Sequence, residues 1–288
     1  MKKSKIKFLY ILIYLFFIFI IVLSVAYILN FFLLKKEAQK ENNLLNIVKV
    51  EENTLDNNDS ENDNNENEES TNSIENTTNT VEEKEDIENP ENGRILQVKN
   101  LKKQNSDIVG WLEIKDTSIN YPVLQGTDNE YYMTHNYKKQ KSKKGSIFLT
   151  KDYDWNIPSS NLLIYGHNLK NGTMFEELLK YSDKNFYKKH PIIRFTTENE
   201  DAEYEIISVF KSRVYYKSEK NVFRYYYFVN ANTEEEYNEF IKNAKKASLY
   251  DIEATAKYKD QLITLSTCSY HTQDGRFAVV GRKIEKNS

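Results

Sequence analysis

From Phe8 to Leu34 the chain carries no charged side chain. As a helix, this run of 27 residues would be roughly 40 Å long. That exceeds the ~30 Å hydrocarbon core of a bilayer, so residues 8–34 read as a tilted transmembrane anchor. Ser24-Val25-Ala26 loosely resembles a cleavage site. The apolar run nevertheless continues to Leu34, beyond the ~7–15 residues of a signal-peptide core. Lys2, Lys3, Lys5 and Lys7 precede the run, and Lys35, Lys36 and Lys40 follow it. The balance leans toward a cytoplasmic N-terminus at residues 1–7, with the remainder outside.

The formal net charge of −3 conceals a sharp segregation. Residues 51–92 hold sixteen acidic side chains against one basic one, among Asn, Ser and Thr. Such a segment buries too little apolar surface to offset chain entropy, and like charges extend it. Residues 35–92 therefore read as a disordered, acidic, Asn-rich linker. Residues 93–288 form the folded part.

That part opens with Ile95, Val98 and Leu101 at helical spacing, followed by a turn at Asp107–Gly110. Strand-like runs follow at 117–125, 144–150, 161–167, 191–197, 202–216, 261–268 and 275–284, rich in β-branched and aromatic residues. Two helices interrupt them. One is predicted over 172–183, capped by Thr173, with Phe175, Leu178 and Leu179 on one face. The other spans 232–248, capped by Asn232 or Thr233, with an apolar stripe of Tyr237, Phe240, Ile241 and Ala244. The stripe is core packing. Seven or eight strands with few helices predict a mainly β fold with peripheral helices, a barrel or a sandwich.

The single cysteine, Cys268, rules out an intramolecular disulfide. A lone Cys is either a small buried hydrophobe or a reactive thiol. Cys268 ends the strand "LITLSTC", next to a polar loop, where a thiol is accessible. Acyl chemistry at a thiolate needs a base or nearby positive charge, and a donor for the oxyanion. Arg276 starts the next strand. Side by side, the two strands would bring its five N–H donors near the sulfur. Arg282 lies deeper in the same strand. Four histidines compete. His271 is nearest in sequence, His190 precedes Pro191, His135 sits in a polar aromatic loop, and His167 ends the apolar strand "NLLIYGH", where Gly166 gives the backbone freedom. Two strand ends, at His167 and Cys268, could meet on one rim of a barrel, which favours His167 only weakly. No Gly-rich phosphate loop, Cys/His metal spacing or basic aromatic stripe for nucleic acid is present.

"INYPVLQ", "YGHN", "MFEELLKYSDKNFYKKHPIIRFTT", "TLSTC" and "GRFAVVGR" occur in an order that resembles the sortases, membrane-anchored cysteine transpeptidases of Gram-positive bacteria. The N-terminal lead-in helix and the helix before the Cys strand are similar to class B. The resemblance implies a seven- to eight-stranded sortase-like barrel, with a helix before the penultimate strand. It implies Cys268 as nucleophile, His167 as acid and base, and Arg276 as substrate-positioning and oxyanion-stabilising group. Ser266 and Thr267 would touch the sorting peptide, and Asn120 and Leu124 would lie near its groove. It implies cleavage after Thr in an NPxTN- or xPxTG-like C-terminal motif of secreted surface proteins, through a thioester. Transfer would go to a peptidoglycan amine, with no cofactor, no metal and no nucleic acid. The Cys-to-Arg loop is short, which leaves the exact motif open. A hydrolase using water, a pilin-polymerising sortase and a wall-binding scaffold with a buried Cys are the alternatives.

Overall fold

The computed structural model describes residues 16–25, 28–29, 89–157 and 159–285. Residues 16–25 and 28–29 are helical, with exposed apolar side chains. Among the described residues no helix is long and apolar enough to cross a membrane. The rest of the expected anchor, the cytoplasmic N-terminus and residues 35–88 of the linker lie outside the described residues.

Helix α1 (Pro90–Gln104) begins inside the stretch read as linker. Pro90 occupies the first turn, where its missing N–H costs nothing. The Asn89 side chain accepts from the Glu91 N–H at 3.0 Å, capping the helix. The helix buries Val98 and Leu101, and Arg94 ties it to Asp201 through Nε at 2.9 Å.

The turn expected at Asp107–Gly110 is instead strand β1 (Ile108–Glu113). The next strands are β2 (Asn120–Leu124), β3 (Ile147–Leu149), β4 (Asn161–Tyr165), and the short pair β5 (Asn168–Leu169) and β6 (Thr173–Met174). The helix predicted over 172–183 is not α-helical. Thr173 and Met174 pair with β5, and Glu176–Ser182 is a 3-10 helix. Then come α2 (Lys184–Lys189), β7 (Ile192–Thr196), β8 (Asp201–Arg213), α3 (Glu234–Ala247), β9 (Leu262–Cys268) and β10 (Gly275–Lys283).

Among the described residues, eight strands close a barrel in the order β1-β2-β3-β4-β9-β10-β8-β7, and β7 returns to β1. Its pairs are antiparallel except β2–β3 and β4–β9. Alternation sets the two faces of each strand. Leu162 and Ile164 of β4, Ile263 and Leu265 of β9, and Phe277 and Val279 of β10 join one large core cluster. Leu163, Leu262, Ala278 and Val280 face the other way, onto a second cluster with Tyr225, Tyr237, Phe240, Ile241 and Ala244. The latter four are the predicted α3 stripe, and Thr233 is the cap, accepting from the Glu236 N–H. Burial on both faces explains why β4 reads as apolar throughout.

Candidate active site

Strand β9 ends at Cys268, half-buried, and the alternation that turns Leu262 outward places Ser266 and Cys268 on the same outer face. Strand β10 runs antiparallel beside it, with Arg276 directly opposite Cys268. The adjacent pair Ser269–Gly275 is hydrogen bonded, Ser269 N–H donating to the Gly275 carbonyl at 2.9 Å. Cys268 and Arg276 therefore form a pair not bridged by backbone hydrogen bonds, the kind whose side chains stand closest. The guanidinium donates to the Gly275 carbonyl at 3.0 Å and meets no carboxylate among the described residues. Arg282 is engaged elsewhere, on Glu205 at 2.8 Å.

On the other side β4 runs parallel to β9, with Tyr165 opposite Ser266. The register continues past the strand end. Gly166 N–H donates to the Ser266 carbonyl at 3.2 Å, and the Thr267 hydroxyl donates to the Gly166 carbonyl at 2.7 Å. The Asn168 side chain donates to the Cys268 carbonyl at 2.9 Å, fastening the two chain segments together. His167 lies between these fastenings, level with Cys268. Gly166 serves space and not backbone freedom. A Cβ there would meet Ile147 Cδ1 at 2.4 Å and the Phe175 ring at 2.7 Å.

The His167 ring is held from above. Its Nε2 lies 2.7 Å from the Met133 carbonyl, which only accepts, so Nε2 is the donor in this contact and Nδ1 lies outside it. Met133 ends a short 3-10 turn (Tyr131–Met133) that is itself anchored. The Asp128 carboxylate accepts from the N–H groups of Glu130 and Tyr131, and the buried Tyr132 hydroxyl donates to Asp107 at 2.6 Å.

Beneath the site, Tyr225 is fully buried with its hydroxyl 2.8 Å from Ser266 Oγ. Burial pushes its pKa up to about 12, against the hydrogen bond to Ser266 and the charge of Arg276. It stays neutral at physiological pH. Burial likewise raises the pKa of Tyr165.

Cys268, His167 and Arg276 line one cleft of about 200 Å³, together with Ser266, Thr267, Tyr165, Phe148, Asn129 and Met133. Asn120 and Leu124 do not line it. Asn120 accepts from Trp111 Nε1 at 2.5 Å, and Leu124 is fully buried opposite Ile108. Tyr165 was legible from its place two residues before His167 on a strand. Asn129 and Met133 come from an aperiodic loop and left no signal. The other histidines sit apart from the cleft. His135 stacks on Tyr131 with ring centres 4.0 Å apart, His190 meets the Lys115 carbonyl at 3.0 Å, and His271 meets Ser269 Oγ at 3.0 Å in the exposed turn. Among the described residues no cluster of His, Cys, Asp or Glu is arranged to hold a metal ion.

Residues 112–284 match the Sortase domain family. Sortase B of Listeria monocytogenes is 36% identical over 200 residues, covering 68% of this chain and 77% of that protein. The Staphylococcus aureus sortase B–substrate complex superimposes with a TM-score of 0.59 at 30% identity, covering 67% of this chain and 86% of that one. A sortase B complexed with triglycine gives a TM-score of 0.59 at 31% identity, covering 67% and 87%. A closed eight-stranded barrel, this order of motifs and these likenesses place the chain in the sortase family of transpeptidases, class B.

Proposed function

We propose that the chain is a membrane-anchored cysteine transpeptidase that joins secreted surface proteins to the cell wall. The observation that carries this reading is the meeting of Cys268, Arg276 and His167 in one cleft, from three strand ends. The Cys268 thiolate attacks the Thr carbonyl carbon of an NPxTN- or xPxTG-like sorting motif. Arg276 donates to the oxygen as charge develops on it. The tetrahedral species collapses, the peptide bond breaks, and imidazolium Nδ1–H of His167 protonates the leaving amine. A thioester remains on Cys268. A peptidoglycan amine then attacks the thioester, His167 takes the amine's proton, and the thiolate leaves as the new amide forms. Ser266 and Thr267 form the floor of the cleft below the peptide, and Asn129 and Met133 form its wall.

The complexes of sortase B relatives with a substrate and with triglycine, an amine-bearing peptide, support the two half-reactions. The uncharged run 8–34 serves as a single-pass anchor with its N-terminus cytoplasmic, and the acidic linker holds the catalytic domain outside, where exported substrate and wall precursor meet.

The test uses the full chain in detergent micelles with fluorogenic NPxTN-, xPxTG- and LPxTG-like peptides, with and without triglycine, beside Cys268→Ala. Cleavage that depends on Cys268 and yields the triglycine adduct is expected. Cleavage that ignores triglycine and gives only the free acid would indicate a hydrolase. No cleavage, with Cys268 inert to alkylation, would reduce the likeness to one of fold.

A further inference from the structure

The outer face of the barrel carries a second concavity. It lies between α3 and the segment 221–232 that follows β8, has a volume of about 900 Å³, and is larger than the catalytic cleft. Its aromatic lining comes from Phe223, Tyr227 and Phe228, and its polar lining includes Asn221, Asn232 and Asn243. The Phe228 ring is stacked on Phe240 of α3, with centres 4.0 Å apart and planes 11° apart, so this platform is rigid. Tyr227 is 70% exposed, so its ring is available to a ligand.

The charges lining this groove cancel. Arg224 and Lys246 are matched by Glu236 and Glu239, so the groove selects for neither a cation nor an anion. A fourth lining residue, Asn230, accepts from the Ser160 hydroxyl at 3.1 Å, whereas the side chains of Asn221, Asn232 and Asn243 make no hydrogen bond to other protein groups among the described residues, and each offers both donors and an acceptor. Flat rings beside unspent amides suit a neutral ligand with apolar C–H faces and a rim of hydroxyl and acetamide groups. That is the chemistry of an N-acetylated amino sugar.

The position of the groove joins it to the catalytic cleft. Tyr227 belongs to the same 3-10 turn (Tyr225–Tyr227) as Tyr225, whose hydroxyl reaches Ser266 two residues before Cys268. One short turn therefore contributes Tyr227 to the groove and Tyr225 to the support of the cleft residue Ser266. We infer that this groove binds the saccharide portion of the amine acceptor, an oligosaccharide of N-acetylated amino sugars. The inference rests on the transpeptidase reading for its purpose, and not for the binding itself.

The experiment is a titration of the full chain in detergent micelles with tri-N-acetylchitotriose, followed by NMR or calorimetry. Saturable binding is expected, weakened about tenfold or more by Tyr227→Ala and by Asn243→Ala. Both side chains lie outside the catalytic cleft, so thioester formation with a sorting peptide and transfer to triglycine should be unchanged. With a disaccharide-bearing muropeptide as acceptor, the same variants should raise the acceptor KM about tenfold with kcat preserved. No saturable binding to the wild-type chain, or binding that both variants leave intact, overturns the inference. Because the titration needs no turnover, a failed peptide assay would count against the transpeptidase reading alone.

Discussion

Gly166→Ala probes how the histidine is delivered to the cysteine. The added methyl would lie 2.4 Å from Ile147 Cδ1 and 2.7 Å from the Phe175 ring. Ordinary carbon contacts are about 3.5–4.0 Å. Ile147 is 1% exposed and Phe175 is 0% exposed, so neither can swing into solvent. Overpacking of this kind costs about 1–3 kcal/mol. For a domain of this size each kcal/mol is worth roughly 2–4 °C, so Tm should fall by about 2–12 °C. Relief comes by moving the end of β4 away from Ile147 and Phe175, and that end carries His167. A displacement on the order of 1 Å in a catalytic group costs about 10²-fold in rate. Thermal unfolding, with turnover of the best sorting peptide well below Tm, reads both effects. The control is Gly93→Ala in α1, where a Cβ meets nothing within 4 Å. It should stabilise by about 0.5–1 kcal/mol and leave turnover alone. A Gly166→Ala protein with wild-type Tm and wild-type kcat would refute the claim that Gly166 is there for space.

Three further outcomes are expected. Arg276→Lys should lower kcat/KM by about 10²-fold, because a point charge replaces the planar donor fork facing Cys268; near-normal kinetics would remove the oxyanion role. His167→Ala should abolish turnover while His271→Ala retains it; the reverse result would move the base to the exposed turn. Burial raises the pKa of Asp201, but Arg94, Thr196 and Arg194 more than offset it, holding the carboxyl below the ordinary carboxylate value. Because the folded-state pKa is the lower one, this stabilisation is present above the unfolded-state pKa of about 4 and is lost as pH falls through the folded value. Asp201→Asn should therefore lose about 1.5–3 kcal/mol at pH 7 by urea titration and converge on the wild-type protein toward pH 2. A constant gap across that range would exclude the ionic contribution.

The strands nearest the chemistry were the most legible. β4 is buried along its length, and an apolar run bounded by polar turns announces that, while β9 showed as alternating apolar and hydroxyl residues. β1 was hidden by Gly110, which reads as a turn residue. In the fold it makes room for Phe195, whose ring a Cβ would meet at 2.5 Å. The segment after Gly172 misled for another reason. Phe175, Leu178 and Tyr181 are all fully buried, a spacing of three residues that belongs to a 3-10 helix and not to an α-helix. Cys268 and Arg276 could be placed together because a hairpin fixes its own register. Strand-end logic favoured His167 only weakly, since pairing between parallel strands far apart in sequence leaves no local mark, and the resemblance was needed to single it out. Asn120 lies outside the cleft because a polar residue in a strand can serve a neighbour, here the Trp111 indole, as readily as a ligand.

The parallel pairing of β4 with β9 joins segments about a hundred residues apart. Contacts so distant in sequence require a long loop to close before any of them forms, and such closures are slow. Until that loop closes, Cys268 stands without the histidine that the end of β4 brings to the same cleft. On the transpeptidase reading, turnover that needs both groups should therefore appear during refolding only as the last strands close.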